Sequence, residues 1–102
     1  MIMKLIIHSV NIDAWEPLKE YAEKKFEKLE QYYDKIVSAD VYFKTENTAE
    51  KSQSKIVEVE LAVPGDNIVV KKSGQSFEEC IDLVVDILKT QIKKKKEKEK
   101  SY

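Results

Sequence analysis

Between residues 89 and 100 the chain carries seven lysines, at positions 89, 93, 94, 95, 96, 98 and 100, against two acids, Glu97 and Glu99. Ammonium groups at this density neutralise anions, and the anion that matches a linear array of them is a phosphate backbone. The stretch carries +5 in a chain of net charge −1, which leaves −6 on residues 1–88 and makes the molecule a dipole. All eighteen basic residues are lysine. Without arginine there is no planar fork to read guanine edges or clamp a phosphate, so any nucleic-acid contact rests on point charges and shape.

Part of this pattern has a plainer cause. Glu78, Glu79, Asp82 and Asp86 followed by Lys89 to Lys96 is the charge order that a helix macrodipole favours. Four consecutive lysines exceed that need, because like charges at close spacing repel, and a partner of opposite sign is implied. Lys24, Lys25 and Lys28 are interleaved with Glu20, Glu23, Glu27 and Glu30, which by itself describes a solvated helix. If the two helices lie side by side, Lys25 and Lys28 join the later lysines in one basic strip.

The rest of the inventory offers little chemistry. His8 has no second histidine or cysteine near it in sequence, and reads as a structural side chain rather than a metal ligand. Cys80, the single cysteine, falls beside an apolar stripe and reads as a small hydrophobe, with no disulfide or structural zinc to join. Glu58 and Glu60 point the same way from one strand, and with nothing to desolvate them they read as a solvated face, not an acid and base pair. Gly65 and Gly74 are the only glycines, too few for a phosphate-cradling loop. No catalytic residue, cofactor, metal or small-molecule substrate is expected.

The elements that must position the lysines follow from periodicity. Met3 to His8 is a short apolar run that reads as an inner strand. Leu18, Ala22, Phe26, Leu29 and Tyr33 mark one face of a helix of about five turns. Pro17 places its start near Ala14 to Glu16, with Asp13 as a cap. Ser38 to Glu46 alternates as a second strand, Asn47 to Ser54 is a polar connection, and Val57, Val59, Leu61 and Val63 mark a third strand antiparallel to the second. A tight turn at Pro64-Gly65-Asp66-Asn67 leads to a fourth strand, Ile68 to Lys72. Ser76 with Glu79 forms a capping box for a second helix, whose buried stripe is Phe77, Ile81, Val84, Leu88 and Gln91 or Ile92. The fold class is α+β, in the order β-α-β-β-β-α, with two helices packed on one face of a four-stranded sheet.

Two segments carry a family resemblance: Lys24 to Ile36 (KKFEKLEQYYDKI), after a strand and a polar turn, and Gly74 to Lys98 (GQSFEECIDLVVDILKTQIKKKKEK). The second contains Ile81-Asp82, Asp86, Leu88, Gln91 and a lysine-rich end from Lys93. Together they resemble the ribosome hibernation-promoting and ribosome-associated inhibitor family, the sigma modulation proteins, in its short form. Thr90 stands where that family usually has arginine, Glu78 where it often has tyrosine, and Ser9 where glycine is common.

The resemblance implies a double-stranded-RNA-binding-like fold that docks between head and body of the small ribosomal subunit, across the path of messenger and transfer RNA. By matching position it assigns RNA binding to Lys25, Lys28, Lys94, Lys96 and Lys98, and Lys89 and Lys93 join them as sharing the surface. The partners implied are the small subunit and its ribosomal RNA, with a separate dimerising factor if ribosomes are to be paired, since no C-terminal dimerisation domain is expected. Residues 1–98 are expected to form the single ribosome-binding domain and 99–102 a short tail, and no membrane segment or secretory signal is read, which suggests the cytoplasm. Two other readings stay open: a general double-stranded-RNA or messenger-binding module, and a small hydrolase dependent on His8.

Overall fold

The computed structural model describes residues 4–9, 15–46 and 55–100. Along it run β1 (Lys4–Ser9), α1 (Trp15–Tyr32), β2 (Ser38–Thr45), β3 (Lys55–Val63), β4 (Asp66–Gly74) and α2 (Phe77–Lys100), the expected β-α-β-β-β-α order. The strands form one sheet in sequence order. β1 lies parallel to β2, while β2–β3 and β3–β4 are antiparallel. A parallel pair needs a long crossover, and α1 supplies it. Met3, Asp13 and the polar connection Asn47 to Ser54 lie outside the described residues.

Both helices cover the same face. Leu18, Ala22, Phe26 and Leu29 of α1 and Ile81, Val84, Leu88 and Ile92 of α2 close a single core over Ala39, Val41, Val57, Val59 and Leu61. These strand residues stand in one row per pleat, with Leu5, Ala39 and Leu61 in register and Ile7, Val41, Val59 and Val70 in the next. Alternation therefore sends every second strand residue into the core and the rest to the open face of the sheet. Ile92, not Gln91, completes the stripe of α2. Tyr33 is buried as its spacing predicts, although α1 has ended one residue earlier; its N–H still donates to the carbonyl of Leu29 at 3.1 Å.

Several expectations are corrected. β1 is an edge strand, not an inner one. Leu5 and Ile7 pack on the core and Ile6 is half-buried on the other face opposite Asp40, so its apolar run reflects contacts on both faces and not a neighbour on both edges. The tight turn is shorter than the four residues read from sequence. Asp66 already pairs with Val63 and Asn67 with Ala62, and β4 extends through Gly74. Pro64 and Gly65 alone make the reversal, and the φ of +81° at Gly65 is the left-handed value that the third position of a type II turn demands. α2 continues through Glu99 and Lys100.

The start of α2 is capped as its sequence predicts, with one difference. Glu79 N–H donates to Ser76 Oγ at 3.2 Å, but the Glu79 carboxylate accepts from Gln75 N–H at 3.4 Å, not from the N–H of Ser76. By fixing where α2 begins, the cap sets the rotation of the helix and hence which lysines face α1.

Candidate nucleic-acid interface

Two contacts define how the helices lie. The hydroxyl of Tyr21, in the second turn of α1, donates to Asp82 Oδ1 in the second turn of α2 at 2.6 Å. Eleven residues further along α1, the carbonyl of Tyr32 accepts from Lys96 Nζ at 3.1 Å. Early meets early and late meets late, so the helices run parallel, and the two contacts pin the ends of the groove between them.

Helical spacing then says which side chains border that groove. On α1, Tyr21, Lys25, Lys28 and Tyr32 follow at intervals of four, three and four, one stripe beside the core. On α2, Asp82, Lys89, Lys93 and Lys96 follow at seven, four and three, the matching stripe. Lys28, Lys89 and Lys93 are exposed between the two pins. The packing thus brings Lys28 of α1 and Lys89 and Lys93 of α2, the last two assigned only through sharing the surface, to one side of the two helices.

The other assigned lysines are used differently. Lys25 Nζ sits 3.3 Å from Asp82 Oδ1 and 5.5 Å above the Tyr21 ring, so an acid already balances its charge. Lys96 is half-buried, with its ammonium also 4.5 Å over the ring of Tyr32. α1 has no basic residue in its last turn, and Lys96 supplies from the neighbouring helix the cation that the free carbonyls there attract. Lys95, third in the four-lysine run, folds toward the sheet and donates to the carbonyl of Pro64 at 2.9 Å. Lys94 and Lys98 are exposed but share the far flank of α2 with Leu83 and Ile87, turned away from α1. The run that looks uniform in sequence is divided among three directions.

Tyr21 and Asp82 were not singled out as functional by their types. The hydrogen bond to Asp82, then burial, then the nearby charges of Asp82 and Glu78 push the phenol up to about 12. The hydroxyl is therefore a fixed donor at any physiological pH. Tyr21, Lys24, Lys25, Glu27, Lys28 and Gln31 line a shallow hollow of about 340 Å³ on α1 beside the groove.

The residues weighed for catalysis lie elsewhere. His8 is on the open face of the sheet, stacked on Tyr42 with ring centroids 4.4 Å apart, and its Nε2 is 3.2 Å from Asp40 Oδ1. On the same face Glu58 accepts from Lys44 Nζ at 3.0 Å and Glu60 from Asn67 Nδ2 at 3.0 Å. Each acid has its own partner. Cys80 is fully buried, its thiol donating to the carbonyl of Lys55 at 3.4 Å, and burial with Glu79 beside it pushes that thiol up. Among the described residues no three His, Cys, Asp or Glu side chains gather to hold a metal, and no helix is long and apolar enough to cross a membrane.

A mixed four-stranded sheet with two parallel helices on one face, and exposed lysines along the groove between them, defines a class of small α+β domain with a cationic surface. The family model described as Sigma 54 modulation protein / S30EA ribosomal protein matches residues 5–100, and the chain belongs to that family. It is 35% identical over 100 residues to a ribosome hibernation promoting factor of Escherichia coli K12, covering 98% of this chain and all of that one. To the factor of that name from Pseudomonas putida it is 31% identical over 99 residues, covering 97% of this chain and 92% of the relative. Among solved structures, a ribosomal subunit interface protein from Coxiella burnetii superposes with a TM-score of 0.76 at 26% identity, covering 92% of this chain and 98% of that one.

Proposed function

We propose that this chain is a non-enzymatic inhibitor of translation, which docks its α1–α2 groove on ribosomal RNA of the small subunit and occupies the path of messenger and transfer RNA, holding ribosomes in hibernation. The observation that carries the reading is the placement of Lys28, Lys89 and Lys93, exposed between two pinned ends, in a family whose relatives bear the name of ribosome hibernation factors. Each phosphate neutralised by such a lysine releases a condensed counterion, so affinity falls with salt by about 0.7 to 0.9 logarithmic units per decade per contact. Occupancy needs no bond making. The acidic remainder of the chain limits attachment to RNA at large. Pairing of ribosomes, where it occurs, is the work of a separate dimerising factor.

The test is sedimentation with isolated small subunits at two salt concentrations, with and without messenger and initiator transfer RNA. Co-sedimentation should weaken with salt and be reduced by those ligands, and excess unrelated duplex RNA should not displace the protein. Binding indifferent to the ligands but displaced by any duplex would replace this reading with a general RNA-binding module.

A further inference from the structure

Within a groove bordered by lysines, one acid is built in. Asp82 is held by Tyr21 at 2.6 Å and by Lys25 at 3.3 Å, both on Oδ1. The carboxylate is 48% exposed, and the remaining oxygen, Oδ2, is the one left to accept from a ligand. A surface carboxylate on a long, free side chain would swing aside when a phosphate arrived. This one is short, oriented by a phenol that stays protonated, and carried on a helix packed into the core, so a ligand in the groove must accommodate it.

A phosphate cannot do so, since it is anionic and offers no proton. A ribose 2′-hydroxyl can, because it is a neutral donor and alternates with phosphates along an RNA strand. In A-form duplexes the 2′-hydroxyls line the wide, shallow minor groove, where side chains reach them, while the base edges of the deep major groove are out of reach. We propose that Asp82 is the residue by which this groove distinguishes RNA from DNA, accepting a hydrogen bond from a ribose 2′-hydroxyl while Lys28, Lys89 and Lys93 take phosphates further along the groove. The inference rests on the RNA-binding reading of the groove and adds to it a sugar-reading contact. Lys25 has a second part in it, since its charge softens the repulsion between Asp82 and the strand's phosphates.

The experiment compares an RNA duplex of about 16 base pairs with a DNA duplex of the same sequence, the length that spans two minor grooves. Binding of each to the full chain is measured at low salt, where a lysine groove takes either sugar, alongside sedimentation with small subunits. Asp82→Asn keeps an oxygen to accept from Tyr21 and removes the charge; its melting temperature checks that the helices stay pinned. The wild type should prefer RNA by about tenfold, the worth of one hydrogen bond to a charged group. Asp82→Asn should bring the ratio to within about twofold of unity, chiefly by tightening DNA, because the repulsion is gone. Tyr21→Phe, which frees the carboxylate to swing, should lower the ratio part of the way. A wild type without sugar preference, or an Asn variant that keeps it, overturns the proposal; the first result would also be seen if a guanine amine were the donor, since that group is present in both duplexes. Failure of the underlying reading is separate: small subunits would then not bind in a salt-sensitive manner, whatever the duplexes do.

Discussion

The two ends of the α1–α2 groove are closed by opposite chemistry. Near the start of the helices an acid of α2 gathers a phenol and an ammonium from α1, and a lysine of the strip is neutralised in the process. Near the far end a lysine of α2 reaches the last carbonyl of α1, and its charge is satisfied by a helix terminus and an aromatic face. One pin sets a negative group into the groove and the other withdraws a positive one. Between them stand the exposed Lys89 and Lys93, about one helical turn apart on α2, and Lys28 opposite. A lysine count therefore overstates the cationic surface left exposed in the groove, and the position of each lysine relative to the pins decides what its ammonium touches.

The largest effect should come from the open middle. Replacing Lys28, Lys89 and Lys93 together with Gln should weaken small-subunit binding by about a hundredfold or more near physiological salt, and flatten the logarithmic salt slope by about 2 to 3. Replacing Lys94 and Lys98 on the other flank should cost only a few-fold. If the two variants lose affinity equally in a sedimentation titration, the division of the strip by the pins is broken.

A smaller effect is expected at the far pin. Lys96→Met removes a hydrogen bond to a helix terminus and a cation over an aromatic ring, for a loss of about 1 to 2 kcal/mol of folding stability in thermal or urea unfolding. The salt slope of the folded variant should stay nearly unchanged, because the Lys96 ammonium is already held by the Tyr32 carbonyl and ring. A slope lower by a whole contact would return Lys96 to the RNA-binding set.

The acid pin should show the smallest change, and one with a pH signature. Tyr21→Phe should cost about 1 kcal/mol near neutrality, at the low end for a bond to a charged acceptor because Asp82 is half-exposed. The phenol is raised from its ordinary 10 to about 12, so its bond contributes fully below pH 10 and is lost as pH climbs toward 12. The stability difference between wild type and Tyr21→Phe should be flat below pH 10 and shrink above it in parallel urea titrations. A difference that grows with pH instead would show that the phenolate, not the phenol, is the favoured form in the folded chain.

Much of the frame was legible beforehand, for reasons that are local. Leu18, Ala22, Phe26 and Leu29 repeat with the helical period, and Val57, Val59, Leu61 and Val63 with the strand period, so each element announces its own buried side. Ser76 and Glu79 mark a helix start at fixed spacing, and Pro64-Gly65 marks a reversal. Neighbourhood was not legible. The apolar run of β1 says that it touches hydrophobic groups but not whether one edge is unpaired, and it lies at the edge. Asp66 and Asn67 carry turn-forming side chains, yet pairing with Val63 and Ala62 draws them into β4.

The candidate site divides in the same way. That the lysine-rich end of α2 would join Lys25 and Lys28 was a conditional reading, and the parallel packing of the helices meets its condition. Lys95 and Lys96 cannot be told from Lys93 and Lys94 by residue type, and their separate fates depend on which atoms of α1 and of the β3–β4 turn come within reach. By itself the sequence determined the elements, the face each one buries, the dipolar distribution of charge and the family, because these follow from periods and spacings along one chain. Only the tertiary structure decided that Lys96 caps a neighbouring helix, that Asp82 holds Lys25 and that Lys28 comes to face Lys89 and Lys93 across the two helices. Those are contacts between residues as many as 64 positions apart, and Coulomb's law acts on distance in space, not on distance along the chain.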